Sequence, residues 1–305
     1  MGRQSVTLAT GTGETVRSRA ETRGQWLLLV TVREVLRARM AKLGVLILLI
    51  AVTAAVFAPL LAPYDPIKIH PTDSLAKPGS KYWLGADRLG RDQVSRLIYG
   101  ARVSLTVGVS GVLIAVAGGI TVGTVAGWFG KWTDEILMRA MDALASFPSL
   151  ILALALVAVT GGAIRNIIIV MAMVYTPSIA RVIRSQILSV RERDYVTSAV
   201  ATGASNSRII LKHLIPNSLA PVIVQASVAF GSAILLEASL SFLGVGVKPP
   251  SPTWGGMLRH AFEVVDRAPW LTFMPGLVIF LVVLSFNFVG DALRDALDPR
   301  LRQAR

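Results

Sequence analysis

The sequence predicts an all-α membrane protein with six spanning helices, and three observations carry that prediction. Of 305 residues, 53% are hydrophobic and 16% are charged, and the mean hydropathy of +0.61 is too high for an ordinary soluble domain. The apolar residues come in runs about 20 long, enough to cross roughly 30 Å of hydrocarbon at 1.5 Å per residue. The 31 basic residues outnumber the 18 acidic ones and gather mainly between the runs. There they mark the inner loops of a membrane protein rather than a nucleic-acid-binding face.

Residues 1–25 are polar and rich in Gly, Thr, Ser and Arg. They lack an apolar stretch behind a basic start and a small-residue cleavage site, so no cleaved signal peptide is expected. Residues 26–42 interleave Leu27, Val30, Val35 and Leu36 with Arg33, Arg37 and Arg39, the pattern of an amphipathic helix lying on the inner membrane surface. Residues 1–42 therefore read as a cytoplasmic tail with a surface helix, and 43–305 as the membrane domain.

Span 1 is placed at 43–62, an uncharged run. An outer loop, 64–100, follows with Pro66, Pro71 and Pro78 and ends in a short helix-compatible stretch that Asp92 can cap. Spans 2 to 6 are placed at 103–128, 136–160, 163–183, 219–242 and 271–290, with an inner tail at 291–305. Gly118, Gly119, Gly123 and Gly127 in span 2 let helix backbones approach closely in lipid. Pro148, Pro177 and Pro275 each remove a backbone donor from a span and should bend it, through helix packing or beside a water-filled path. Six spans put both termini on one side. With the termini inside, 20 of the Lys and Arg residues face inward and 11 outward, which favours cytoplasmic termini in a multi-pass cell-membrane protein.

The sequence offers little to an enzyme reading. Residues 11–18 have glycines without a Gly-Lys-Ser/Thr ending, so no P-loop binds ATP in this chain. His70, His213 and His260 have no metal-ligand spacing and there is no cysteine, so neither metal nor cofactor is expected on it. The informative segment is the inner loop 191–217, which reads as two short helices. Asp194 can cap the first, Gly203 can end it in a left-handed turn, Ser205 can cap the second, and Pro216 closes it before span 5. A basic helical hairpin here is either a docking element or an interfacial loop resting on lipid.

These residues carry a resemblance. The run Arg191-Glu-Arg-Asp194-Tyr195-Val-Thr197-Ser198-Ala199, then Gly203-Ala204-Ser205 and His213-Leu-Ile-Pro216-Asn217, is similar to the coupling loop of ABC importer permeases. More narrowly, the chain resembles the C-type permease subunit of the dipeptide, oligopeptide and nickel importers. Matches extend through Ala62-Pro-Tyr-Asp-Pro66, Leu89-Gly-Arg-Asp92, Glu237-Ala-Ser-Leu-Ser-Phe-Leu-Gly244 and Gly290-Asp-Ala-Leu-Arg-Asp-Ala-Leu-Asp-Pro-Arg300. One departure stands out: Thr197 occupies the position usually held by Glu, and Ser198 that of the first Ala.

The resemblance implies a type I importer-like permease with cytoplasmic coupling helices. It implies as partners a homologous permease subunit, two cytoplasmic ATP-binding subunits that hold ATP and Mg, an external solute-binding protein, and membrane lipid. Peptide is the implied solute, with nickel or another small solute as the alternative. A membrane scaffold and an ion-coupled secondary transporter are the rivals from other classes. The latter would need several intramembrane ionisable groups, whereas Glu237 stands well inside a span, with Arg139 and Asp142 near an inner end. Glu237 is expected either to brace span 5 or to line an outer vestibule and attract a cationic group.

Overall fold

The computed structural model describes residues 38–297. Most of the surface helix placed at 26–42 and the end of the tail placed at 291–305 lie outside the described residues. Among the described residues five helices are long and apolar enough to cross a membrane, and two more, meeting at 90°, make a sixth if the bent pair counts as one span.

Helix α1 (Arg39–Val56) is followed by the short α2 (Ala58–Leu61), whose Pro59 cannot donate to a carbonyl of α1 and so begins a new helix. Helix α3 (Gln93–Phe129) joins the predicted capped stretch and span 2 into one rod of 37 residues, about 55 Å long. Asp92 caps it, its Oδ2 accepting from the Ser95 N–H at 2.7 Å. Arg96 and Arg102 had separated the two stretches by hydropathy. Helical continuity tolerates them because Arg96 turns back to donate to the Pro66 carbonyl at 3.0 Å.

The third span is not the single helix expected at 136–160. It is α4 (Lys131–Ala145) followed by α5 (Ser149–Thr160), with Pro148 at the N-terminal cap of the second. Pro148 lacks an N–H and disfavours helical backbone at Phe147, so both sides of the bond stop the ladder. Helix α5 alone spans about 18 Å, too short for the hydrocarbon core.

Helix α6 (Ile164–Arg191) runs two turns past its predicted end. The arginines that suggested a loop there are paired instead: Arg184 grips Asp134 of α4 with two nitrogens, and Arg181 reaches Asp142 at 3.1 Å.

Helices α3 and α6 form the most extensive interface in the fold. Gly119, Gly123 and Gly127 lie under Ile179, Ile183 and Ile187, and a Cβ at Gly119 would sit 2.7 Å from the Ile179 side chain. Lipid is as apolar as isoleucine, so burial from water does not drive this contact. Close dispersion packing does, and it requires the glycines.

The inner hairpin is α7 (Asp194–Ala201) and α8 (Asn206–Ile209). The second helix does not close at Pro216. It passes through a π-helical turn, Ile210–Leu214, into α9 (Ile215–Phe242). Pro216 has no hydrogen for the preceding turn and its ring crowds it, which a wider turn relieves. Asn217 Nδ2 donates to the His213 carbonyl at 2.7 Å.

At the other end, α10 (Trp254–Phe262), which the sequence reading left as loop, enters between α3, α9 and α11 (Trp270–Leu297). Trp254 is fully buried. Its Nε1 donates to the Leu97 carbonyl at 3.1 Å and its backbone N–H to Ser104 Oγ at 3.3 Å.

Candidate functional site

The hairpin 191–217 is the first candidate. Helix α7 does not carry the predicted cap: Arg193 occupies the N-cap and Asp194 is the first helical residue, where a carboxylate still complements the helix dipole. Ser205 holds the N-cap position of α8 without a side-chain cap bond.

Gly203 is left-handed, with φ +77°. Its N–H donates to the Val200 carbonyl at 2.9 Å and the Ala204 N–H to the Ala199 carbonyl at 3.0 Å. This reciprocal pair is a Schellman ending, which satisfies carbonyls that a helix otherwise leaves exposed. No atom lies within 4 Å of the position a Cβ would take at Gly203, so the glycine serves the backbone angle rather than a close contact.

One side of the hairpin is anchored. Val196, Ile209 and Leu214 are buried in a cluster with Ile183, Ile187 and Val190 of α6 and Val222 of α9. The Tyr195 ring lies 6.1 Å from the His213 ring, tying α7 to the π-helical turn. Arg191 Nη1 donates to the Gly127 carbonyl at 2.9 Å, so the inner ends of α3 and α6 move together.

The other side is open. Thr197, Ser198, Val200 and Gly203 are exposed and Ala199 is half-buried. Thr197 Oγ1 donates to the Arg193 carbonyl at 3.0 Å, so its hydroxyl serves its own helix. Within the hairpin three large apolar side chains are exposed: Tyr195, Val200 and Leu211. Ala204 is half-buried, and Pro216 and Asn217 are exposed at the start of α9. The sequence reading missed Val200 and Leu211, whose signal was present as apolar residues within a basic, polar loop.

Glu237 and Pro148 do not join this surface. Pro148 sits at the α4–α5 break. Glu237 is 1% exposed, enclosed by the chain's own helices. Ser241 Oγ donates to its Oε1 at 2.8 Å, while its Oε2 is buried without a hydrogen-bond partner among the described residues. Ser104 of α3 accepts from the Trp254 N–H of α10 at 3.3 Å. Among the described residues no three His, Cys, Asp or Glu side chains group as a metal site.

Comparison with known proteins places this geometry. The family described as binding-protein-dependent transport system inner membrane component matches residues 119–303, and the N-terminal TM domain of oligopeptide transport permease C matches residues 28–78. The chain is 44% identical over 264 residues to the dipeptide transport system permease protein DppC of Alkalihalophilus pseudofirmus, covering 87% of each chain. It is 44% identical over 267 residues to the di/tripeptide transport system permease protein DppC of Pseudomonas aeruginosa, covering 86% of this chain and 88% of that one. It is 41% identical to the glutathione transport system permease protein GsiD of Pectobacterium atrosepticum, covering 88% of this chain and 90% of that one. Among solved structures, the MetNI methionine ABC transporter in its inward-facing conformations shares the fold. The TM-score is 0.55 at 18% identity, over 67% of this chain and 96% of that chain.

Proposed function

The chain belongs to the family of binding-protein-dependent transport system inner membrane components, and from that premise we propose that it is the permease subunit of an ATP-driven peptide importer. It pairs with a homologous permease to enclose the pathway, while two cytoplasmic subunits bind ATP with Mg and an external protein delivers the solute. The chain itself performs no bond chemistry. Peptide is favoured over nickel or another small solute because the relatives at 41–44% identity are named for dipeptide, di/tripeptide and glutathione transport.

The observation that carries this reading is the hairpin: one face packed on α6 and α9, the other exposing Tyr195, Val200 and Leu211 beside the small Ser198 and Ala199. An ATPase subunit seated on that face drives a lever. Residues 206–242 form one apolar helical rod from the hairpin to the buried carboxyl of Glu237, so displacement at the inner end is carried to the far end. The switch needs a partner that binds the two states unequally, and the ATP-loaded and ATP-free ATPases supply that difference. With Thr197 in place of Glu, the contact depends on close packing and Tyr195 rather than on a carboxylate.

An ion-coupled mechanism is less favoured. Asp134 and Asp142 are neutralised by Arg184 and Arg181 within the chain, and Glu237 is sealed, which leaves few free intramembrane carboxylates to carry a coupling ion.

The test is uptake of a labelled dipeptide into proteoliposomes holding the permease pair and both ATPases. Import is expected only with Mg-ATP inside the hairpin's compartment and the binding protein outside. Import driven by a proton or sodium gradient without ATP contradicts it.

A further inference from the structure

Helices α9 and α11 pack side by side, and each leaves one stripe uncovered. On α9, Leu235, Ser239 and Phe242 recur at intervals of four and three, and on α11, Phe280, Leu284 and Asn287 do the same, so each set falls on one helix face. These two faces, with Leu150 of the short helix α5 and Leu258 of α10, line a single groove of about 670 Å³. Sites for small ligands run from roughly 300 to 1,000 Å³. The walls are not closed by the chain itself: Leu235 is 53% exposed and Phe280 60%.

The groove is apolar except for two side chains. Ser239 Oγ donates to the Leu235 carbonyl at 2.8 Å, so its hydroxyl is satisfied within its own helix. Asn287 is exposed in the groove, and its amide makes no hydrogen bond among the described residues. It stands about 6 Å, one helical turn, before Asp291, the first charged residue of α11. Its side chain is too short to reach the headgroups as that of a lysine does. An amide left bare against hydrocarbon is costly, so whatever fills the groove should carry a polar group to meet it.

Three occupants compete for such a groove, and the free amide separates them. A lipid chain leaves it unpaired. A helix of a neighbouring subunit has already spent its interior backbone groups on its own ladder. A short peptide brings backbone N–H and C=O groups that no ladder uses, together with side chains for the apolar wall. One amide in an apolar groove also holds a passing solute weakly enough to let it leave again.

We propose that the groove between α9 and α11 is the stretch of the pathway that takes short peptides with apolar side chains, Asn287 bonding the peptide backbone and Leu235, Phe242 and Phe280 receiving the side chain. The inference rests on the reading of the chain as the permease of a peptide importer and adds the residues and the class of peptide they prefer.

The test is import of labelled leucyl-leucine and glycyl-glycine into proteoliposomes holding the assembled transporter. Each peptide is supplied at a concentration that saturates the binding protein, whose own affinity a change in the permease does not alter. Asn287→Leu should slow both peptides about three- to tenfold, because the amide meets the backbone they share, and Asn287→Gln should recover part of the rate. Leu235→Trp fills the groove from an exposed position and should slow leucyl-leucine about tenfold more than glycyl-glycine. Co-purification of all subunits and an unchanged melting temperature show that each variant complex is intact. Wild-type rates with Asn287→Leu overturn the proposal, as does equal slowing of the two peptides by Leu235→Trp. Because the chain has no cysteine, Phe280→Cys supplies a second reading: it should react with a small charged thiol reagent dissolved in water. Reaction only with a membrane-soluble reagent assigns the groove to lipid, and protection by a crosslinkable residue of the partner permease assigns it to the subunit interface; either overturns the proposal. Wild-type complex that imports neither peptide with Mg-ATP and binding protein overturns the importer reading itself, a result distinct from normal import by the variants.

Discussion

Glu237 shows how a single residue is decided by its surroundings. A carboxyl at 1% exposure within the bundle is costly unless it is hydrogen-bonded, and Ser241 supplies one bond, to Oε1, while Oε2 is left without a partner among the described residues. Enclosure by the chain's own helices supports the bracing role that we propose for Glu237 over one on an open vestibule wall. Glu237→Gln keeps the shape and most of the bonds, and should leave the melting temperature of the purified complex and its import close to wild type. Glu237→Ala strands the Ser241 hydroxyl, and should cost roughly 1–3 kcal/mol of stability, visible as early thermal unfolding. Gln as damaging as Ala would show that the charge itself is required.

At the scale of elements, the sequence was most legible where one physical cause dominates. The α3 cap at Asp92, the left-handed turn at Gly203 and the break at Pro148 were each readable from a residue whose backbone chemistry allows few alternatives. Element length was less legible, because hydropathy counts Arg96, Arg181 and Arg184 as loop residues and cannot see the Pro66 carbonyl, Asp142 and Asp134 that accept them. The same blindness hid α10, a helix only nine residues long, and the π-helical turn that carries α8 into α9 past Pro216.

The Gly203 turn yields a prediction at this scale. A β-branched residue forced to φ +77° carries about 1–2 kcal/mol of strain, equivalent to roughly 5–30-fold in the population of correctly formed hairpin. Gly203→Val should therefore assemble, since nothing crowds the site, yet hydrolyse more ATP per peptide imported. Asparagine, which tolerates the left-handed region, should recover most of the coupling. Equal coupling ratios for valine and glycine would remove the turn from the mechanism.

Across the whole molecule, the fold is a glycine-packed bundle with an internally hydrogen-bonded segment between α2 and α3 at one end and an anchored, half-bare hairpin at the other. The division into helices and loops followed from hydropathy and the placement of Pro and Gly. The proposal that the hairpin is a coupling element rests on the resemblance, because a basic amphipathic loop fits lipid as well as protein. The orientation we propose, with both termini inside, rests on the 20 to 11 split of basic residues. With no native cysteine in the chain, a single cysteine at Ser80 should react with an impermeant thiol reagent on intact cells and one at Ser205 should not. The reverse labelling would invert the protein in the membrane.

The central claim is that force enters through the open face of α7, and one measurement addresses it directly. Ser198 is exposed on that face, so a cysteine placed there should crosslink to a cysteine in the ATPase subunit within the assembled transporter. Crosslinking should stop peptide import, and reduction of the bond should restore it. Failure of every such pair to crosslink in a complex that imports peptide normally would contradict the account.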